Sequence, residues 1–253
     1  MRTVQMGKSV SFYEETDSTN TRAKQAAQEG AEHGALFVAD KQTAGRGRRG
    51  RDWSSPAGTN IYFTLLLKPE FAPDKASMLT LVMAHAVQRA VERYLPCGIK
   101  WPNDIVVNGR KVCGILTEMS VASGSIEYVV IGVGINVGRQ TFAPELVDKA
   151  ASLEQECGYP LSRTELLADI MEQFEAVYES FLLTLDLSAI KADYNAHLVS
   201  LNREVRVLEP QGEYSGIARG ITDMGELLVE RGDGSVETVY AGEVSVRGIY
   251  GYV

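Results

Sequence analysis

Residues 45–51 read Gly-Arg-Gly-Arg-Arg-Gly-Arg, four arginines and three glycines in a chain of 253 residues whose formal net charge is −8. A guanidinium presents its N–H groups as a planar fork that fits carboxylate and phosphate oxygens, and glycine lets the backbone come close to those oxygens. Positive charge gathered at one place on an acidic chain points to an anionic ligand at that place. A solvated loop or a basic patch for nucleic acid would use the same residue types.

Two more specific phosphate motifs fail when read residue by residue. Gly45 and Gly50 have the spacing of a Walker loop, but Arg51-Asp52 stand where Lys-Ser or Lys-Thr is required to reach the terminal phosphates and magnesium. Gly132-Val133-Gly134-Ile135-Asn136 begins like a dinucleotide fingerprint, but Val137 occupies the position of its third glycine and no helical pattern follows.

The bulk properties narrow the field. The length suits one large domain with or without a small one, and 45% hydrophobic with 23% charged residues is the balance of a soluble globular protein. An acidic chain lacks the broad basic footprint of a general nucleic-acid binder. No apolar run approaches the roughly 20 residues of a membrane span, and the N-terminus lacks a signal peptide's apolar region, so a cytoplasmic protein is expected. Cys97, Cys113 and Cys157 are scattered, and the three histidines, His33, His85 and His197, are not grouped for a zinc site or a histidine-based triad.

The elements that would position chemistry come from periodicity. Asp17-Ser18 is placed to cap a short helix carrying Ala23, Ala26 and Ala27 and closed by Gly30. Residues 35–39 read as a buried strand running into the arginine loop, and 60–67 as a second strand. Apolar residues at helical spacing, from Leu79 through Val82, Ala86 and Ala90, predict a helix over 74–95. Strands follow at 105–107, 112–119 and 126–133, the first two joined by Asn108-Gly109, a signal for a type I′ turn. Ser162 and Glu165 form a capping box for a long helix to about 185, and a short helix covers about 188–198. After residue 201 only short, glycine-punctuated strands remain, the pattern of a small β-barrel appended to an α+β domain.

Several motifs occur in order along this frame. They are Asp17-Ser18-Thr19-Asn20; the arginine loop with Trp53-Ser54-Ser55-Pro56-Ala57-Gly58; Lys100-Trp101-Pro102-Asn103-Asp104; Lys111-Val112-Cys113-Gly114-Ile115-Leu116-Thr117-Glu118; and Gly132-x-Gly134-x-Asn136. The ordered set resembles the biotin–protein ligases throughout the chain. The resemblance implies an α+β fold: a mixed-sheet catalytic domain over about 1–198 and an SH3-like β-barrel over 199–253. It also implies a two-step reaction. Biotin's carboxylate attacks the α-phosphate of ATP, giving biotinyl-5′-adenylate and pyrophosphate; a lysine amine on a biotin carboxyl carrier protein or domain then takes the acyl group and releases AMP.

The resemblance also distributes roles. Arg48 and Lys111 bridge the carboxylate and the α-phosphate, the two anions that must meet. Ser18, Thr19, Asn20 and Gln42 offer neutral hydrogen bonds to the biotin ring, with Arg46 and Gly47 of the loop beside them. Trp53 and Asn136 fall on the adenosine side, while Arg51, Lys100 and Asn103 lie towards the phosphates. Asp104 accepts or orients the carrier lysine, whose free amine has a pKa of about 10.4; a turn cap, or a pair with Lys100, is its structural reading. Trp101 reads as core packing and Arg49 as a solvated arginine. Mg2+ comes with ATP, and no protein metal site is expected. A homodimer is the expectation from the family alone. Some members carry an N-terminal helix-turn-helix domain; here the catalytic pattern begins by about residue 11, so an enzyme that does not bind nucleic acid or membranes is expected. The rivals are a lipoate–protein ligase or octanoyltransferase, against which the arginine loop and the KWPND segment speak, and a non-catalytic protein that sequesters biotin or its adenylate.

Overall fold

The computed structural model describes residues 1–209, 212–241 and 245–248. Its larger sheet has seven strands: β1 (Val10–Thr16), β2 (Leu36–Gln42), β3 (Ile61–Leu67), β4 (Gly98–Lys100), β5 (Asp104–Val107), β6 (Arg110–Ala122) and β7 (Ser125–Ile135), in the order β1-β2-β3-β7-β6-β5-β4. Only β1 and β2 run parallel; the remaining pairs are antiparallel. The sheet is therefore mixed. Asn108 and Gly109 both adopt positive φ (49° and 76°), the backbone a type I′ hairpin between β5 and β6 demands.

Strand alternation divides the sheet into two faces with different tasks. Phe63, Leu65, Ile131, Val133, Ile135, Cys113 and Ile115 share one face and enter the main core. Helices α2 (Leu79–Glu92) and α4 (Arg163–Thr184) cover that core. On the other face Leu66, Tyr128 and Val130 pack beneath α1 (Thr19–Gln28), through Ala23 and Ala27. That helix covers only part of the face. Beyond its N-terminus the same rows continue as Thr64, Gly132 and Gly134, with Gly114 and Leu116 opposite the two glycines. Two glycines at successive inward positions leave a depression there, and the functional residues gather around it.

Most predicted elements appear, with local differences. The helix expected over 74–95 opens with a 3-10 segment, Pro73–Met78, before α2 begins. The β6–β7 hairpin extends further than the apolar pattern indicated, turning through Ser123 and Gly124, both at positive φ. Ser162 Oγ accepts the Glu165 N–H at 3.3 Å, as a capping box requires. Ser18 is the N-cap residue of α1, but its side chain makes no capping bond. Two short further helices are α3 (Leu153–Cys157) and α5 (Lys191–Ala196). Edge strands β1 and β4 were not evident in the sequence.

The C-terminal part is a five-stranded antiparallel sheet: β8 (Glu204–Glu209), β9 (Gly212–Ile221), β10 (Leu227–Glu230), β11 (Val236–Val239) and β12 (Ser245–Gly248), in the order β11-β10-β9-β8-β12. Val205, Val207, Ala218, Ile221 and Leu227 join its inner face to the main core. Trp101, buried as expected, donates its indole N–H to the carbonyl of Gly225 at 2.9 Å and ties the two sheets together. No helix among the described residues is long and apolar enough to cross a membrane.

Two carboxylates of α4 hold the N-terminal segment, Glu172 through the Arg2 N–H at 2.7 Å and Glu175 through three more. Glu175 of α4 accepts the backbone N–H groups of Val4, Gln5 and Met6 at 2.7–2.8 Å. Burial works against its charge, but the three donors outweigh it and hold the carboxyl below its usual 4.5. Replacing Glu175 by Gln should lower stability by about 1–2 kcal/mol at pH 7, because a neutral amide accepts these bonds less strongly. The depressed pKa makes the contribution fully present above about 4.5 and lost as pH falls through the lower folded value. Urea unfolding at pH 7 and at pH 3.5 should therefore show a gap between wild type and E175Q that narrows in acid; a gap that widens would contradict the assignment.

Candidate functional site

The depression on the α1 face becomes a cleft once the neighbouring loops are in place. Its walls include Ser18, Thr19, Asn20, Gln42, Arg46, Gly47, Arg48, Trp53, Asn103, Lys111, Gly114, Leu116, Gly132 and Gly134. Ten of the fourteen residues assigned from sequence thus meet in one space. The other four lie around it, as described below.

The arginine segment is a compact loop. Gly47 N–H donates to Arg51 O (2.7 Å) and Trp53 N–H to Gly45 O (2.9 Å), while Arg46 and Asp52 form an isolated antiparallel bridge. Arg49 takes a left-handed conformation at the tip and is exposed, as a solvated arginine should be. Arg48 turns inward instead. Its Nη1 donates to Asn103 Oδ1 at 2.9 Å and its Nη2 to the carbonyl of Ala241 at 2.6 Å, so this guanidinium joins the loop, the β4–β5 turn and the C-terminal part. Burial pushes its pKa down, with Arg49 and Arg51 adding repulsion and Asp104 opposing the shift. Arginine remains charged at neutral pH even so. Arg51 itself is exposed and outside the cleft walls.

Lys111, at the start of β6, reaches across the strand to Asp104 on β5, with Nζ 2.6 Å from Oδ1. Both side chains are mostly buried. The pairing follows from register: Asp104 lies opposite Gly114, and Gly114 has no side chain to separate the two groups. A Cβ at Gly114 would stand 2.9 Å from both Lys111 Nζ and the Trp53 ring. Lys111 Nζ also sits 5.2 Å from the centre of the Trp53 ring, within cation–π range. Lys100, opposite Asp104 at the end of β4, lies just behind the cleft walls. Burial depresses its pKa to about 8; Asp104 opposes the shift, and Lys111, Arg247 and Arg51 reinforce it. Cations from three segments, Arg48, Lys100 and Lys111, thus face one carboxylate, which makes this end of the cleft strongly attractive to anions.

The other end is lined by neutral side chains, several of them hydrogen-bonded to one another. Gln42 Oε1 accepts the backbone N–H of Thr19 at 2.8 Å and lies 3.1 Å from its hydroxyl. Gln42 Nε2 donates to Ser55 Oγ (3.0 Å), which donates to Trp53 O (3.0 Å). Asn20 Oδ1 accepts from Thr64 Oγ1 at 2.6 Å, and its Nδ2 donates to Glu118 Oε2 at 2.8 Å. Lys24 donates to the other oxygen of Glu118 at 2.6 Å. Burial raises the Glu118 pKa less than these two donors lower it, so the carboxyl lies below its ordinary value. Here the glycines earlier set aside as a failed fingerprint have their use. A Cβ on Gly132 would overlap the Asn20 carboxamide oxygen, and one on Gly134 would overlap the Trp53 indole nitrogen. Asn136 lies past the end of β7, buried, with Nδ2 committed to the carbonyl of Ala151 at 3.2 Å; its side chain is not in the cleft wall.

Thr64 and Glu118 escaped the assignment from sequence. Thr64 lies inside the seven-residue, mostly apolar strand β3, and its only signal was to be the one aliphatic hydroxyl in it. Glu118 closed a quoted motif, but its separation from Asn20 hid their contact.

The comparisons with known proteins agree over the whole chain. Residues 12–136 match the biotin/lipoate A/B protein ligase family, and residues 200–247 match the biotin protein ligase C-terminal domain. The bifunctional ligase/repressor BirA of Bacillus subtilis is 36% identical over 250 residues, 97% of this chain and 76% of that protein. A biotin–[acetyl-CoA-carboxylase] ligase of Paracoccus denitrificans is 35% identical over 92% of this chain and 98% of its own length. The biotin protein ligase of Aquifex aeolicus, solved in complex with biotin and ATP, superposes with a TM-score of 0.81 at 28% identity, covering 95% of this chain and 99% of that one. With its motifs, its two sheets and these relatives in accord, the chain belongs to the biotin protein ligase family.

Proposed function

We propose that this chain is an ATP-dependent ligase that activates biotin as biotinyl-5′-adenylate and transfers it to a lysine of a biotin carboxyl carrier protein or domain. The observation that carries the reading is the division of one cleft into a neutral end, built by Ser18, Thr19, Asn20 and Gln42, and a cationic end, built by Arg48, Lys111 and Lys100. A neutral bicyclic ring with a carboxylate tail matches that order.

In the first step a biotin carboxylate oxygen bonds to the α-phosphorus of ATP and the bond to pyrophosphate breaks. Two anions approach, so the barrier falls where fixed positive charge spans them. Arg48 and Lys111 are the groups assigned this task. Asp104 holds Lys111 within the cleft until the substrate oxygens arrive. Lys100 and Arg51 serve the leaving phosphates, and Trp53 with Asn136 borders the nucleoside. Mg2+ enters with the nucleotide, on phosphate oxygens and water; among the described residues no three His, Cys, Asp or Glu side chains are grouped to hold a metal ion. In the second step the neutral carrier amine nitrogen bonds to the acyl carbon, the bond to AMP breaks with its electron pair going to AMP, and the nitrogen's proton passes to water. Asp104, released from Lys111 by the bound phosphoryl group, orients that amine. The reading divides the chain into a catalytic domain, 1–198, and a smaller C-terminal domain, 199–253, acting in the cytoplasm. A homodimer is consistent with the partly unpaired edge of β6, since β5 pairs only with residues 110–114.

Pyrophosphate release on mixing the protein with biotin, Mg2+ and ATP tests the reading: it should require biotin, and its absence would refute a ligase. Arg48→Ala and Lys111→Ala should each slow release by more than about tenfold, equivalent to about 1.4 kcal/mol of transition-state stabilisation. Arg49→Ala, at the exposed tip, should change it by less than about twofold on the same scale. Equal rates in all four proteins would remove the bridging role.

The depressed pKa of Lys100 gives a pH signature. The amine is cationic below about 8 and neutral above it. If it attracts the phosphates, kcat/KM for ATP should fall as pH rises through about 8, since that parameter reports the free enzyme. Lys100→Arg should carry the cation beyond the measured range and flatten this limb. A limb unchanged in the arginine variant would assign it to another group.

A further inference from the structure

The Asn20 carboxamide has two orientations of nearly equal shape, and the structure contains a device that selects one. A carboxylate accepts hydrogen bonds and cannot donate them, so Glu118, flanked by Lys24, requires the amino group of Asn20 to face it. The carbonyl oxygen then faces Thr64. Since that oxygen only accepts, the single hydroxyl proton of Thr64 is committed to it. Thr64 therefore does not donate to Thr19, although the two oxygens are 2.8 Å apart. The Thr19 hydroxyl supplies a proton instead, to Thr64 or to Gln42, and keeps lone pairs available. Turning the carboxamide over would set its oxygen against the carboxylate and its amino group against Thr64. The Thr64 proton would then point at Thr19 and consume one of its lone pairs.

We propose that Glu118 is a positioning residue for the neutral end of the cleft: it fixes the Asn20 carboxamide and, through buried Thr64, makes Asn20 Oδ1 and Thr19 Oγ1 hydrogen-bond acceptors towards the substrate. The proposal rests on biotin as the substrate. The two N–H groups of its cyclic urea need acceptors, and a wall turned into donors would oppose them. Glu118 lies on the far side of Asn20, is not a wall of the cleft and acts only through the amide.

Glutamine at 118 separates this role from simple packing. Its side chain has one oxygen where the carboxylate had two, so Lys24 and Asn20 compete for it. The loser faces an amide N–H. Lys24 carries the charge and takes the oxygen, leaving the Asn20 amino group only the Leu116 carbonyl at 3.5 Å, the outer limit of a hydrogen bond, so the carboxamide can turn. Removing Lys24 ends the competition.

Calorimetric titration of biotin into wild type, Glu118→Gln and the double variant Glu118→Gln, Lys24→Met tests the chain of effects. The Kd for biotin should rise about tenfold in E118Q and return to within about threefold of wild type in the double variant, a recovery of roughly half to all of the 1.4 kcal/mol that tenfold represents. The KM for ATP should remain within about twofold throughout. Glu118 is partly exposed, and thermal unfolding confirms that each variant is folded. An unchanged biotin Kd in E118Q, or a folded double variant that does not recover, overturns the proposal. Failure of the wild-type protein to bind biotin would instead overturn the substrate reading beneath it.

Discussion

The pairing of Lys111 with Asp104 is the interaction around which the cleft is organised. A lysine ammonium held in a partly dehydrated space requires a partner, and one carboxylate at 2.6 Å supplies it. The same carboxylate opposes the burial of Lys100 and the desolvation of Arg48. Three cations therefore share this one carboxylate, an imbalance that favours an anionic ligand. A chain with net charge −8 can keep such a spot because the sheet, the arginine loop and the C-terminal part each deliver their cations to it.

The sheet makes this possible by treating its two faces differently. One face is filled with large apolar side chains under α2 and α4 and supplies most of the rigid core. The opposite face gives up side-chain volume at Gly114, Gly132 and Gly134, where the Asn20 carboxamide and the Trp53 indole press against bare strand. Positioning is thereby inherited from strands, which hold geometry better than loops. The arginine loop lacks that support. It compensates through hydrogen bonds of Arg48 to Asn103 and to the C-terminal part at Ala241. That contact explains how a small appended sheet can matter to chemistry on the larger one.

Much of this was legible in the sequence because the relevant signals were local. The arginine loop, the Lys111 strand and the Asn108-Gly109 turn are read within a few residues, and the Ser162 cap accepts a backbone N–H only three residues on. The failures are equally physical. Strand β1 leaves Val10 and Phe12 on the exposed side of a sheet edge, so its alternation does not report a core. β4 spans three residues, too few for any periodicity. Ser18 fits a capping position by type, yet its side chain lines the cleft and makes no capping bond. Asn136 shares a motif with the cleft glycines but lies past the strand end, where it holds Ala151. Thr64 and Glu118 depend on contacts 44 and 98 residues from Asn20 in sequence, and spacing along the chain carries no trace of them.

In the proposed reaction the cleft's charges are divided between two half-reactions, with Arg48 and Lys111 serving adenylate formation and Asp104 serving transfer. Single-turnover transfer from preformed biotinyl-5′-adenylate to a carrier domain, without ATP and followed by the intact mass of the carrier, isolates the second step. Asp104→Asn should slow this transfer markedly and recover part of the loss as pH rises, because more of the carrier amine is then unprotonated. Normal transfer by Asp104→Asn, with the defect confined to adenylate formation, would contradict the division and reduce Asp104 to the counter-ion of Lys111.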